Sequence, residues 1–226
     1  MSTKAKGIAI FDLDRTITIK RTFTPFLVHV AKKRPAAFLW APVIAVMMIY
    51  YKFGGMSRTR LKEHMLSMTL GGRHKDTVGF CSNVFAEDLV AGGFRPGALR
   101  RIQKHKEAGD TLVLATASMD FYAGEIAKLL GFDVLIATRS SWDKDDRIVP
   151  EIRGENCYGA NKLVMVKEVF EKEGLDGEAR TTYAYTDHHT DLPLLNWVDY
   201  PVAVNPSKKL RAASENTNIK IEDWLV

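Results

Sequence analysis

Residues 7–16 read Gly-Ile-Ala-Ile-Phe-Asp-Leu-Asp-Arg-Thr, an apolar run that leads directly into two aspartates. Successive side chains of a strand point to opposite faces, so Asp12 and Asp14, just past its end, can both reach one crevice. In open α/β sheets, ligands bind at this edge. Two nearby carboxylates repel each other and need a cation, a shared proton or water. The alternative is an Asp-rich turn after a buried strand.

The composition is that of a globular protein. The chain has 226 residues, of which 46% are hydrophobic and 26% charged, enough for one core with an inserted unit or for two small domains. Cys81 and Cys157 are far apart and form no metal-thiolate motif, which favours a reducing compartment. The polar segment 1–6 runs straight into the first strand, so we expect no signal peptide and a cytoplasmic location.

Charge is distributed unevenly along the chain. Residues 17–95 contain twelve Lys and Arg against four acidic residues, a net charge of +8, so the rest carries −3. This asymmetry indicates two units with different surroundings. A basic surface attracts phosphates, anionic lipid or nucleic acid, and a merely solvated surface is the alternative.

Strands and helices alternate from residue 95 onward. The pattern predicts an α/β fold, a Rossmann-like, mostly parallel sheet with helices on both faces. The predicted strands are 111–116, 134–137, 181–186, 201–204 and 219–221. The predicted helices are 97–107, 121–130 (ending at Gly131), 160–173 and one that begins at Ser207. The polar stretch 138–153 predicts a hairpin or flap.

Residues 18–93 interrupt this alternation. Their pattern is helical throughout, and glycine and proline divide it into about four helices. The segment is inserted between the first strand and the rest of the sheet, where it can fold over the ligand-binding edge. We therefore expect an α/β core of residues 1–17 and 95–226 and an all-helical cap of residues 18–94.

Residues 35–51 are the most unusual part of this insertion, because they carry no charge between the basic residues 32–34 and Lys52. A membrane-spanning helix needs roughly twenty apolar residues, and Pro42 interrupts this stretch. A buried or interfacial helix pair is therefore favoured over a span. The flanking cations and aromatic residues also suit peripheral contact with a membrane surface.

Three further segments end where a parallel sheet would place them beside Asp12. Hydroxyl and backbone N–H groups of residues 116–118 suit phosphate oxygens, or cap the next helix. Lys162 begins a helix, where a cation needs an anion or water. Asp187 and Asp191 are spaced to share one face of a helical turn and offer the carboxylate oxygens that Mg²⁺ prefers. The alternative is that one of them caps the helix and the other is solvated.

The order of these motifs, DxDxT, a strand-terminal Thr/Ser, a Lys and Dx3D, resembles the haloacid dehalogenase (HAD) phosphatase superfamily over almost the whole chain. The helical insertion after the first motif resembles the phosphoserine-phosphatase-like branch, as do segments 116–133, 185–195 and 204–211. The resemblance implies a Mg²⁺-dependent phosphomonoester hydrolase that works through an aspartyl-phosphate.

The resemblance also implies which residues perform the chemistry. Asp12 would be the nucleophile, and Asp14 the general acid and base. Mg²⁺ would be held by Asp12, Asp187 and the backbone carbonyl of Asp14.

The remaining site residues would support these groups. Thr116, Ala117 and Lys162 would bind phosphoryl oxygens. Asp191 would orient Lys162 or a metal-bound water, and Thr16 would support the loop.

The substrate is less closely defined. Residues 20–21 are basic where phosphoserine phosphatases carry a glutamate that reads the substrate's amino group, which argues against phosphoserine. The basic, apolar insertion resembles hydrolases of the phosphatidylglycerophosphatase C type, so a lipid phosphate such as phosphatidylglycerophosphate is the leading expectation. A soluble metabolite phosphate, such as an amino-alcohol phosphate, is the alternative.

Other protein classes fit less well. The fold also permits a non-catalytic phosphate-binding or membrane-associated protein. His188 and His189 follow Asp187 as in DHH phosphoesterases, although solvent-facing loop histidines are favoured. No nucleic-acid-binding motif accompanies the basic residues, so we expect no nucleic-acid partner.

Overall fold

The computed structural model describes residues 6–33, 35–175 and 180–225. The expectation for segment 1–6 therefore falls, apart from Lys6, outside the described residues. The same holds for Arg34 in the basic group next to residues 35–51.

A six-stranded parallel sheet forms the centre of the described structure, and a separate two-stranded hairpin lies beside it. The strands are β1 (Ile8–Phe11), β2 (Thr111–Met119), β3 (Val134–Thr138), β4 (Ser140–Trp142), β5 (Ile148–Ile152), β6 (Thr182–Thr186), β7 (Tyr200–Val204) and β8 (Lys220–Glu222). The sheet order is β3-β2-β1-β6-β7-β8, and β4 pairs with β5 in the predicted hairpin. The central position of β1 follows from its fully buried, apolar sequence.

The helices are α1 (Phe23–Lys32), α2 (Ala41–Lys52), α3 (Arg58–Leu70), α4 (Lys75–Val90), α5 (Pro96–Ala108), α6 (Asp120–Leu130), α7 (Ala160–Lys172), α8 (Leu192–Leu195) and α9 (Lys208–Ser214). Short 3-10 turns occupy Pro35–Trp40 and His189–Asp191. The predicted α/β fold with a Rossmann-like parallel sheet is confirmed.

The two faces of β1 pack into two hydrophobic cores. Ala9 and Phe11 belong to a cluster that also includes residues of α1, α3 and α4, whereas Ile8 and Ile10 pack against α7 and α9. Both pairs are fully buried. This alternation fixes the direction of the residues that follow, including Asp12.

Strand β2 is longer than the sequence pattern predicts. It continues past Thr116 to Met119, with a register irregularity between these residues, because Met119 still pairs with Thr138 of β3. Residues 117 and 118 therefore form a bulge inside a strand rather than a turn after it. The predicted end of α6 is confirmed, since Gly131 caps it with a φ of 68°.

Residues 18–94, hereafter the helical segment, contain α1–α4, the predicted number of helices. The chain enters and leaves this segment side by side. Thr18 and Phe94 form an antiparallel bridge, the Ile19 N–H donates to the Gly93 carbonyl (2.9 Å), and the Arg95 N–H donates to the Ile17 carbonyl (2.8 Å).

The apolar stretch 35–51 forms two consecutive helices, the 3-10 turn Pro35–Trp40 and α2, as the predicted helix pair requires. Pro42 lies in the first turn of α2, where its missing N–H costs little, so the stretch is divided next to this proline. No residue of α2 is buried, and Val46 and Ile49 are 65% and 58% exposed, so of the two predicted placements the buried one is wrong for α2. No helix within the described ranges is both long and apolar enough to cross a bilayer.

Candidate active site

Asp12 directly precedes a tight turn, Leu13–Ile17, at the carboxyl end of β1, and Asp14 lies within this turn. Arg15 adopts a left-handed conformation inside this turn, with a φ of 67°. Both carboxylates line one pocket of about 50 Å³. The prediction that the two acids share a crevice at the sheet edge therefore agrees with the geometry.

The Asp12 carboxylate is held by one cation and one hydroxyl. Its Oδ1 accepts a hydrogen bond from Lys162 Nζ at 2.8 Å, and its Oδ2 lies 3.4 Å from the donor Thr16 Oγ1. Burial raises the pKa of Asp12, and the negative charges of Asp191 and Asp187 add to this, while the Lys162 ammonium opposes it. A buried carboxylate whose partners leave it accessible to a pocket suits attack on an electrophile.

Lys162 is the fully buried cation of the site, with 2% exposure. It is the third residue of α7, after Gly159 at a φ of 62°. Besides Asp12, it contacts Asp191 Oδ2 at 2.6 Å, and the Thr186 hydroxyl donates to the same oxygen at 2.7 Å. Burial opposes its charge, but the two carboxylates raise the pKa of Lys162, so it stays protonated.

Three donors hold the Asp14 carboxylate. Thr22 donates its backbone N–H and its hydroxyl to Oδ1, both at 2.7 Å, and Ser118 Oγ lies 3.1 Å from Oδ2. Thr22 escaped sequence analysis because it is eight residues away and carries no distinctive motif. These bonds fix the Asp14 carboxyl at the pocket edge, where it can exchange a proton with a bound molecule.

Asp187 and Asp191 both reach the pocket, but not from one face of a helical turn. Asp187 lies in the loop after β6, and Asp191 ends the following 3-10 turn. Burial raises the pKa of Asp187 to about 6, partly offset by Arg15, whose Nε is 3.9 Å from Asp187 Oδ2. The Asp187 carbonyl accepts the Ser207 N–H at 2.8 Å, which anchors the loop.

The oxygen donors of this site suit Mg²⁺. Asp12 and Asp187 are buried carboxylates with raised pKa values, and the Asp187 charge contributes to the shift of Asp12, the condition that a bound cation relieves. Within the described ranges, no group of three His, Cys, Asp or Glu side chains forms a metal cluster. Mg²⁺ needs only one or two carboxylates, because it keeps several waters, so the residues present fit this ion.

Residues 116 and 117 occupy different positions relative to the pocket. Ala117 lines it, whereas Thr116 is fully buried behind the wall. The Ser118 N–H, expected to be free for an anion, donates to Thr116 Oγ1 at 3.0 Å, because the bulge turns it toward the strand.

A sequence model of haloacid dehalogenase-like hydrolases matches residues 9–196. The chain belongs to this family. Protein CicA of Caulobacter vibrioides is 30% identical over 195 residues, covering 85% of this chain and 83% of that protein. A probable phosphatase of Mycobacterium tuberculosis is 30% identical over 212 residues, covering 92% of this chain and 72% of that protein.

Solved structures share the fold of this chain. A Bordetella pertussis protein of unknown function has a TM-score of 0.88 at 26% identity, covering 97% of this chain and 99% of its own. A substrate-bound phosphoserine phosphatase has a TM-score of 0.66 at 18% identity, covering 98% and 95%, a likeness of fold alone. The predicted enzyme class, a phosphatase of the haloacid dehalogenase family, is confirmed.

In this member of the family, the pocket has a strongly basic wall. Arg15, Arg21 and Arg58 line it together with Lys162. The Arg58 guanidinium lies 4.1 Å from the centre of the Tyr158 ring, a cation–π contact that holds it over the pocket. No motif in the sequence marks Arg58 or Tyr158, because only the tertiary fold brings α3 and the loop before α7 together.

The paired histidines are not the solvent-facing residues that the sequence favoured. His188 lines the pocket, and its Nδ1 is 2.9 Å from Thr190 Oγ1. Burial lowers the pKa of His188 to about 4, with neighbouring His189 adding to the effect, so the His188 ring is neutral at physiological pH. Both histidines are partly buried, and the centres of their rings are 4.4 Å apart.

A second cavity of about 200 Å³ adjoins Asp14 beneath the helical segment. Its wall combines apolar and basic side chains. The apolar ones are Phe23, Met48, Tyr51, Leu61 and Met65, and the basic ones are Arg21, Arg58 and Lys62. The cavity shares Asp14, Arg21, Arg58 and Ala117 with the first pocket, so the two are neighbours.

Proposed function

We propose that the chain is a Mg²⁺-dependent phosphomonoester hydrolase that works through an aspartyl-phosphate on Asp12. The observation that carries this proposal is the Asp12 carboxylate, paired with Lys162 at 2.8 Å and open to a pocket that Asp14 also lines. A nucleophile, a proton carrier and a fixed cation in one basic pocket are the groups that phosphoryl transfer needs.

The proposed reaction has two steps. Asp12 attacks phosphorus, the bond to the leaving oxygen breaks, and Asp14 gives that oxygen its proton. Water then attacks phosphorus, Asp14 takes the proton from this water, and the bond between phosphorus and the Asp12 oxygen breaks, which releases inorganic phosphate and restores the Asp12 carboxylate. The three hydrogen bonds from Thr22 and Ser118 keep the Asp14 carboxyl in place for both transfers.

Charge on the phosphoryl oxygens is balanced by groups around Asp12. Lys162 binds one oxygen, and Asp191 orients its ammonium at 2.6 Å. Ala117, on the pocket wall, is the residue of β2 placed to bind a second phosphoryl oxygen, and Thr116, buried behind that wall, supports it by accepting the Ser118 N–H at 3.0 Å. The Thr16 hydroxyl supports the Asp12 side chain.

Asp12, Asp187 and the backbone carbonyl of Asp14 would hold Mg²⁺. When bound, this ion offsets the repulsion between the Asp12 carboxylate and an anionic phosphate.

Replacing Asp12 and Asp14 tests the reaction. With an aryl phosphate and Mg²⁺, Asp12→Asn should lower kcat at least about a thousand-fold, and Asp14→Asn about 10²–10⁴-fold. Exposed Glu87→Gln is the control and should retain activity. Equally negligible rates for the wild type and Asp12→Asn would favour the non-catalytic, phosphate-binding alternative.

We further propose that the helical segment is a cap over the site and that the substrate is a lipid phosphate such as phosphatidylglycerophosphate. The paired chain crossings at Thr18 and Phe94 support a division at residues 18–94. The apolar cavity beside Asp14 suits a leaving group with hydrocarbon, and its basic side chains suit additional negative charge.

The outer surface of α2 supports peripheral contact with a membrane through residues 35–51. Its exposed apolar side chains lie between Lys32, Lys33 and Lys52, a pattern that suits an anionic bilayer surface. A cytoplasmic enzyme at the inner face of the membrane would meet such a substrate there.

A substrate panel and vesicle binding test this part together. Phosphate release from phosphatidylglycerophosphate in mixed micelles should exceed release from phosphoserine or an amino-alcohol phosphate. The double variant Val46→Ser/Ile49→Ser should lose binding to anionic vesicles, whereas Val90→Ser, exposed elsewhere, should keep it. Preference for a soluble phosphate, with no vesicle binding, would contradict the lipid proposal and leave the hydrolase proposal intact.

A further inference from the structure

Lys62 is a buried lysine of the helical segment whose ammonium reaches the sheet. It is 6% exposed, and its Nζ donates to the Ala117 carbonyl at 2.6 Å, Asn156 Oδ1 at 2.9 Å and Thr138 Oγ1 at 3.4 Å. Three acceptors match the three hydrogens of an ammonium group. All three are uncharged, and no ion pair within 4 Å involves Lys62 in the part of the chain that the structure describes.

The three acceptors belong to three elements around the phosphoryl pocket. Ala117 is in the bulge of β2 and lines the pocket, Thr138 ends β3, and Asn156 precedes α7, the helix that carries Lys162. Thr138 Oγ1 also lies 3.0 Å from the Ala117 carbonyl and 2.8 Å from Asn156 Oδ1. Lys62 therefore completes a network that spans the pocket wall.

Burying the Lys62 ammonium without a charged partner costs free energy, which indicates that this cation has a functional role. Burial and the nearby Arg58 charge together lower the pKa of Lys62 to about 7, and Asp14 and Cys157 only partly oppose them. A buried charge without a charged partner destabilises a fold. Its positive potential falls on the pocket that would receive an anion.

We propose that Lys62 is a positioning residue that holds the Ala117 peptide in the orientation the phosphoryl pocket requires and ties α3 to the pocket wall. The proposal rests on the proposed phosphatase function. It also gives the helical segment a direct part in phosphate binding, because α3 supplies the ammonium and β2 supplies the peptide that it holds.

The first test replaces Lys62 by methionine, which keeps the length of the side chain and removes its three hydrogen bonds. Lys62→Met should lower kcat/KM for an aryl phosphate about ten- to hundred-fold, the range typical of residues that orient groups around a site. Its affinity for inorganic phosphate, measured by calorimetry, should fall as well. Arg60→Met, exposed on the same helix, should stay within about two-fold of the wild type.

The second test keeps the hydrogen bonds and changes the charge. Asn156→Asp places a carboxylate 2.9 Å from Lys62 Nζ and should raise the pKa of Lys62. The wild-type kcat/KM should fall above pH 7 as Lys62 loses its proton. In Asn156→Asp this alkaline limb should move to higher pH, and in Lys62→Met it should disappear, outcomes that a purely structural role does not produce.

These measurements separate the inference from the function on which it rests. A wild type that neither hydrolyses an aryl phosphate nor binds phosphate would overturn the proposed function. An active wild type with unchanged kcat/KM and phosphate affinity in Lys62→Met would overturn the inference alone. If Lys62→Met does not fold, an alkaline limb that stays in place in Asn156→Asp overturns it.

Discussion

At the level of single residues, the pocket brings four carboxylates and four cations together. Lys162 contacts Asp12 and Asp191, and Arg15 is 3.9 Å from Asp187, but these cations do not fully offset the burial of Asp12 and Asp187. The folded-state pKa values of Asp12 and Asp187 therefore lie above their usual values. The buried, charged carboxylates lower the stability of the fold, and they form a site that attracts a cation and an anionic substrate.

The variant Asp187→Asn should be more stable than the wild type without Mg²⁺ and should bind Mg²⁺ more weakly. Because the folded-state pKa of Asp187, about 6, exceeds its ordinary value of 3.8, its protonated form stabilises the fold at low pH. This contribution is lost as pH rises from about 4 to 6. In EDTA at pH 7.5, we expect the variant to have a Tm about 2–4 °C above the wild type, the shift given by about 1 kcal/mol.

With Mg²⁺ added, the wild type should have a higher Tm than Asp187→Asn. The wild-type Tm should rise with Mg²⁺, more at pH 7.5 than at pH 5, because a cation binds the deprotonated carboxylates. The variant should lose most of this rise. Equal stabilisation of both proteins by Mg²⁺ would show that Asp187 does not hold the ion.

At the level of elements, helix starts are set by contacts as well as by local sequence. Gly97, the second residue of α5, packs against Trp224, and its N–H donates to the Trp224 carbonyl at 3.2 Å. A Cβ built at Gly97 would lie 2.6 Å from Trp224 Cβ and 2.7 Å from Trp224 Cα. Gly79, inside α4, has nothing within 4 Å of its corresponding position.

Alanine should therefore have opposite effects at these two glycines. Gly97→Ala should lower the free energy of unfolding by about 1–3 kcal/mol, because Trp224 is buried and has to shift. Gly79→Ala should raise it by about 0.5–1 kcal/mol, since alanine favours the helix more. Denaturant unfolding measures both, and a stabilised Gly97→Ala would contradict the close packing at α5.

At the level of the whole molecule, one hydrophobic cluster joins the helical segment to the sheet. Phe26 of α1 stacks on Tyr122 of α6 with ring centres 4.7 Å apart, and Phe85 of α4 contacts Phe26 at 5.3 Å. All three side chains are buried. Because this cluster continues to Phe11 of β1, we expect the two parts to unfold together.

Phe26→Ala should lower the stability of the whole chain and not that of the helical segment alone. Loss of a buried phenylalanine costs about 3–5 kcal/mol, so a Tm decrease of about 6–20 °C is expected in a single calorimetric transition. Phe80→Ala, at a ring that is 63% exposed on α4, should change stability by less than about 0.5 kcal/mol. Two separate transitions in Phe26→Ala would show that the parts unfold independently.

Local patterns in the amino-acid sequence were sufficient to predict the fold and the acidic residues of the site. The run of apolar residues before Asp12, the alternation after residue 95 and the position of Gly131 depend on periodicity and backbone preference, which neighbouring residues set. Asp14, Lys162, Asp187 and Asp191 were found in the same way, because parallel strands bring their carboxyl ends to one edge.

Contacts between segments that are distant in the sequence determine the structural features that local sequence patterns did not predict. The bulge of β2 depends on pairing with β3, and the exposure of α2 depends on what the other helices leave uncovered. Thr22 and Lys62 bond to groups 8 and 55 residues away, respectively. Hydrogen bonds and desolvation act through space, so their partners and their effects on pKa emerge only when the chain is packed.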